Sequence, residues 1–168
     1  MIKQGPQLDA FQSAGAAPRL LRGAITYVAG TTGAIGTTTL FTVTGDIALA
    51  FLAAKCTTDL TSGGVATWTL GVTGNTIRLA GGSTMGDVTG WNAGAWADGG
   101  GPSYVVGGNP DLVCGASGAG GNAFAINGDI IQTIAGATIT GGVVRWYLQY
   151  IPLSGDGAVS LHANLSSF

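Results

Sequence analysis

His162 is the single histidine of this chain, glutamate is absent, and eight aspartates supply every side-chain carboxylate. Acid–base or covalent chemistry needs a nucleophile beside a base, or two carboxylates held in different environments. His162 lies in Val159-Ser160-Leu161-His162-Ala163, with no GxSxG elbow to provide a nucleophile, and reads as a surface or interface residue. Most aspartates adjoin glycine, as in Gly45-Asp46, Gly86-Asp87, Asp98-Gly99, Gly128-Asp129 and Gly155-Asp156-Gly157. That context is turn chemistry, because glycine tolerates positive φ and aspartate bonds nearby backbone. Asp87, Asp98 and Asp111 offer hard oxygens of the kind calcium takes, but their spacing is neither an EF-hand nor a nonapeptide repeat. Gly118-Ala119-Gly120-Gly121-Asn122 lacks the Gly-Lys-Ser/Thr of a phosphate loop. Cys56 and Cys114 have no CxxC spacing, so zinc is not expected; they read as buried thiols, with a disulfide as the alternative. The expectation is a non-enzyme with no catalytic residue, no metal and no cofactor. A weaker reading has the loop aspartates cleaving a cell-wall polymer.

Composition points the same way. Charged residues make up 8% of the 168 residues, against about 25% in an ordinary soluble domain. Hydrophobic residues reach 46% and glycines number 31, so the chain folds, but behind a neutral Gly/Thr/Ala surface. Such a surface suits packing against copies of itself or against a larger scaffold. The net charge of −2 carries no footprint of nucleic acid or of a membrane surface, and neither is expected as a partner. The longest apolar run, 47–54, is far short of the ~20 residues that span a bilayer. Residues 1–7 contain a lysine but no apolar stretch behind it, so synthesis in a cytoplasm is expected.

The elements that must position any site are strands. Thr37 to Thr44 places Phe41 and Val43 on one face and threonines on the other, and Gly45-Asp46 makes a turn. Ile47, Leu49, Phe51 and Ala53 share a face of the next strand. Its other face (Ala48, Ala50, Leu52) is apolar too, as in a central strand covered on both sides. Ala66, Trp68, Leu70 and Val72 alternate with threonines, and Thr76 to Ala80 follows the Gly74-Asn75 break. Val143 to Ile151 is the strongest strand signal, with Val144, Trp146, Leu148 and Tyr150 on one face, Arg145, Tyr147 and Gln149 on the other, and Pro152 as its stop. Thr44-Gly45-Asp46-Ile47 echoes in Asn127-Gly128-Asp129-Ile130, each opening an apolar strand. No stretch shows a capped 3.6 period. The fold class is therefore all-β, an antiparallel sandwich or jelly-roll-like barrel, over residues 24–168.

Two segments fall outside that pattern. Residues 1–23 hold Lys3, Arg19 and Arg22 against Asp9, while the remainder is net negative; Pro6, Pro18 and irregular apolar spacing predict an extended arm. Phe11, Leu20 and Leu21 are unfavourable in water and call for a partner surface. Residues 81–121 form a long Gly-rich loop, part of which, such as Ser103 to Val106, could pair as a short strand. Its Trp91, Trp96 and Tyr104 either stack on a ligand or subunit, or tuck back over the core.

The stretch Gly36-Thr37-Thr38-Thr39-Leu40-Phe41-Thr42-Val43-Thr44-Gly45-Asp46-Ile47 resembles a family of small β-rich virion proteins of tailed bacteriophages. So does Gly142-Val143-Val144-Arg145-Trp146-Tyr147-Leu148-Gln149-Tyr150-Ile151-Pro152-Leu153. The resemblance leaves residues 1–23 and 81–121 unmatched. It implies a capsid decoration (cement) protein on the virion exterior, assembled in the host cytoplasm, acting as a homotrimer with the major capsid protein as partner. Phe11, Arg19, Leu20, Leu21 and Arg22 would then make the capsid contact, and Trp91, Trp96 and Tyr104 would contact subunits or ligand. The alternative is a tail or fibre-tip module gripping a host glycan or receptor through those three aromatics.

Overall fold

The computed structural model describes residues 17–74, 79, 88–97 and 124–168. Nine strands run through them: β1 (Arg19–Thr26), β2 (Gly36–Thr44), β3 (Ile47–Ser62), β4 (Thr67–Val72), β5 (Trp96–Ala97), β6 (Phe124–Ile126), β7 (Ile130–Ala135), β8 (Ile139–Pro152) and β9 (Ala158–Leu161). Every pairing is antiparallel. One sheet has the order β1-β8-β3-β5, with β6 on the same edge of β3 as β5; the other has the order β4-β7-β2-β9. The two lie face to face as a sandwich. The sheets do not close on each other, so the barrel half of the expectation gives way to the sandwich half.

Alternation decides what lies between the sheets. Val144, Trp146, Leu148 and Tyr150 of β8 are all buried, as are Trp68 and Leu70 of β4, while Val72 is half-buried against the core. Trp68 is the centre of the interior. Its ring lies 5.9 Å from Trp146 across the sandwich, 5.7 Å from Tyr27 and 5.1 Å from Trp91.

Two strands change face part-way, and single extra residues are the cause. In β3 the register steps from Leu49↔Tyr150 to Phe51↔Gln149, leaving Ala50 without an opposite number. Ile47 and Leu49 point inward before this bulge, Leu52, Ala54 and Cys56 after it, so Phe51 and Ala53 turn to the outer face. Strict alternation put Phe51 and Ala53 with Leu49, and the bulge overrides it. The central position expected for this strand is observed, between β8 and β5/β6. In β2, Leu40 is the extra residue, after which Phe41 and Val43 face the core together as expected. Both echoed Gly-Asp dipeptides precede strands: Gly45 adopts φ +61° before β3, and the Asp129 carboxylate accepts the Val43 amide at 2.9 Å just before β7.

The sequence boundary at Ala24 lies inside β1. Arg19 to Gly23 pair with Tyr150 to Trp146 in unbroken register, so these five residues belong to the sandwich. The proline and loose apolar spacing hid the strand, because β1 lies at a sheet edge and needs one buried face only. Residues 1–16 lie outside the described residues, as do 76–78, the pairing expected for Ser103 to Val106, and Cys114.

Candidate interaction face

The five-stranded sheet presents its outer face as a grid set by register. One row runs Ala24, Arg145, Lys55, Trp96 across β1, β8, β3 and β5. The next holds Arg22, Tyr147 and Ala53, and the third Leu20, Gln149 and Phe51. Neighbouring strands lie about 4.8 Å apart and alternate residues about 6.8 Å apart along a strand, so the three rows adjoin, with Ala53 fully buried among them. The Trp96 and Tyr147 rings meet at 5.6 Å and 33°, and Phe168 meets Tyr147 edge-on at 5.6 Å. The Lys55 ammonium lies 5.3 Å above the Trp96 ring, and the Arg145 guanidinium 4.5 Å from the Phe168 ring centre. Phe168 reaches this face because the C-terminal segment rounds the edge of β1, where Ala24 and Ser166 exchange backbone bonds at 2.8 and 2.9 Å.

The capsid-contact residues expected from sequence divide between two faces. Leu20 (51% exposed) and Arg22 lie on the outer face. Leu21 lies opposite Leu148 and packs on the core, and Arg19 shares its phase at the exposed strand end. Phe11 lies outside the described residues. The loop aromatics separate as well. Trp91 is 6% exposed and packs edge-on against Trp68, tucked back over the core. It tucks inward because Leu60 donates its amide to the Trp91 carbonyl at 2.8 Å, fastening the loop to β3. Trp96 is half-buried in the outer face, and Tyr104 lies outside the described residues. Composition signalled none of the grouping of Lys55, Arg145 and Phe168, since it depends on pairing between residues about ninety apart.

His162 sits in an open polar cleft of about 380 Å³ with Thr32, Thr37, Thr39 and Asn164. Its Nδ1 accepts the Asn164 amide at 3.4 Å, so in the neutral ring Nε2 carries the proton. Among the described residues no carboxylate lines the cleft to orient the imidazole as a base. Among the described residues no three of His, Cys, Asp or Glu stand together as a metal site; Asp87, Asp98 and Asp111 lie outside them. Burial, and then the nearby Asp59 charge, push the Cys56 thiol up, and it donates to the Thr58 carbonyl at 3.1 Å. Burial likewise raises the Tyr27 phenol, while a hydrogen bond from the Ser154 hydroxyl lowers the exposed Asp156 carboxyl. A buried thiol with a raised pKa is inert, not nucleophilic.

The molecule defined by this geometry is a two-sheet, all-antiparallel sandwich with one cation–aromatic face. No family model matches it, and no curated protein matches it. Its fold is similar to that of a chain solved in the Cyanophage Pam1 capsid asymmetric unit, with TM-score 0.50 and 15% identity over 81% of this chain and 85% of that one. At this identity the likeness is one of fold.

Proposed function

We propose that this chain is a non-enzymatic structural protein of a phage virion that decorates and stabilises the capsid exterior. The observation carrying the reading is the fold shared, over most of both chains, with a component of a phage capsid asymmetric unit. The two stretches that resemble tailed-phage virion proteins support it, and they fall on the β2–β3 junction and on β8. Sparse charge and a glycine-rich chain suit a shell component whose contacts come from apolar burial and backbone pairing. Assembly in the host cytoplasm and a homotrimeric state complete the reading, since a trimer multiplies weak contacts by avidity. The partner is the major capsid protein, reached through residues 1–16 together with Leu20 and Arg22. The host-glycan alternative loses Trp91, which is core.

Copy number in purified virions, measured by quantitative mass spectrometry against the major capsid protein, tests the reading. Hundreds of copies in simple ratio to the shell subunit are expected. A handful would place the chain in the tail or portal and overturn decoration. Deletion of residues 1–16, which leaves β1 whole, is expected to weaken binding to bare capsids.

A further inference from the structure

We infer that the outer face of the five-stranded sheet docks onto a carboxylate-bearing surface of a capsid subunit, with Arg22, Lys55 and Arg145 as the charged contacts and Trp96, Tyr147 and Phe168 as the apolar ones. The capsid as partner rests on the reading above; the face rests on the structure.

The argument starts from a local conflict. Lys55 and Arg145 stand directly opposite each other on β3 and β8. Like charges in that position oppose sheet formation. Arg22 stands one row further, opposite Tyr147. The described aspartates are elsewhere. Asp46 and Asp156 belong to the turns after β2 and β8, Asp129 accepts the Val43 amide, and Asp59, further along β3, accepts the Ala93 amide at 2.6 Å. A chain of net charge −2 thus gathers three of its six basic residues on one face, with no described aspartate among them. The two opposed cations rest on the Trp96 and Phe168 rings, which hold them in place without neutralising them. An incoming carboxylate would relieve the repulsion.

The chemistry of the face selects a protein as occupant. Trp, Tyr and Arg are the residues that dominate protein–protein contact energy. Trp96 and Tyr147 are tilted by 33° and Phe168 meets Tyr147 at 84°, so the rings pack on one another instead of offering parallel faces between which a base or sugar could stack. Three cations are too few for a nucleic-acid track in a net-negative chain.

The test is binding of the full-length chain to purified bare capsids of the same phage. Wild type is compared with the triple variant Arg22→Gln/Lys55→Gln/Arg145→Gln and with the charge-retaining Lys55→Arg. Removing one member of a buried charge pair commonly weakens binding well over tenfold, so the triple variant is expected to lose at least about 100-fold. Lys55→Arg is expected to bind as wild type, and raising salt from about 50 to 500 mM to weaken wild type but not the triple variant. Undiminished binding by a folded triple variant overturns the docking face and leaves the virion reading standing. Absence of the wild-type chain from virions overturns both. If the triple variant fails to fold, single Arg22→Glu on the exposed edge strand takes its place, with the same expectation of loss. Equal binding to acidic polysaccharide or to a second copy, with none to capsids, would transfer the face to that occupant and refute the inference.

Discussion

Among the described residues, Tyr27 and Gln132 form the one buried polar pair that spans the two sheets, and their energetics follow from its geometry. The Tyr27 hydroxyl donates to Gln132 Oε1 at 2.8 Å. Gln132 is fully buried on β7, and Tyr27, just past β1, is 2% exposed. The Gln132 Nε2 group has no hydrogen-bond partner, nor do the buried indole nitrogens of Trp68 and Trp146. Tyr27→Phe deletes the donor and strands a buried amide oxygen, at a cost of about 1–3 kcal/mol. Gln132→Met strands the phenol hydroxyl at a similar cost, reduced because the orphaned Nε2 leaves with it. The double variant places two apolar side chains of matched size together, and such replacement of both partners is close to neutral. The expected pattern is non-additive: the double variant is more stable than the sum of the singles by about 1–2 kcal/mol, well above the ~0.5 kcal/mol scatter of independent sites. Urea unfolding followed by far-UV circular dichroism measures all four corners of the cycle. Each kcal/mol should move the melting temperature by about 2–4 °C in a chain of this length. Additive singles, or a neutral Tyr27→Phe, would show that the hydrogen bond contributes nothing and that packing alone joins the sheets there.

Trp91→Ala should destabilise the fold by about 3–5 kcal/mol, as for other buried aromatics, while the folded fraction binds capsids as wild type; unchanged stability would return Trp91 to the surface. Gly142 has φ +114°, and a Cβ there would stand 2.7 Å from the Asp59 carbonyl oxygen and 2.9 Å from Leu60 Cα. Gly142→Ala should therefore lose at least about 1–3 kcal/mol, read as a lowered melting temperature, and an unchanged melt would contradict the backbone constraint. The Cys56 thiol and Tyr27 phenol are both held above their ordinary values of 9.0 and 10.0. The unfolded chain therefore releases these protons first, so stability is full below pH 9, falls from there as the thiol and then the phenol titrate in the unfolded state, and stops falling once pH passes the folded values. Urea midpoints between pH 8 and 11 should show this decline, shallower in Tyr27→Phe, and a flat profile would refute it. In a Cys114→Ser background, Cys56 should react with a disulfide reagent far more slowly in native protein than in urea, and equal rates would show that it is accessible.

The strands that alternate strictly were legible in sequence. β4 and β8 each carry large apolar residues at every second position, and burial on one face enforces that period. Where one extra residue enters, the period fails locally. Nothing in Ile47 to Ala54 marks Ala50 as the bulge, because small and large apolar residues occupy both phases. The choice is made by β8, whose Leu148 and Trp146 need Leu52 and Ala54 beside them in the core. β1 was hidden for a related reason. Its Arg19, Leu20 and Arg22 are exposed, and only pairing with β8 reveals a strand.

The interaction face follows from those two failures. The bulge at Ala50 puts Lys55 on the outer side, opposite Arg145. Pairing of β1 adds Arg22 to the same side, and the turn of the chain terminus brings Phe168 over Arg145. Shifting the register by one residue would direct Lys55 into a core that holds Trp146 and Leu52, where an unpaired charge is strongly disfavoured. The same desolvation penalty that fixes the bulge therefore confines the cations to the outside. Sequence reasoning sought the basic residues in an N-terminal arm, since local charge excess is all that a linear reading detects. Their grouping is a property of the sheet: two strands about ninety residues apart align Lys55 with Arg145, and a third adds Arg22 one row further.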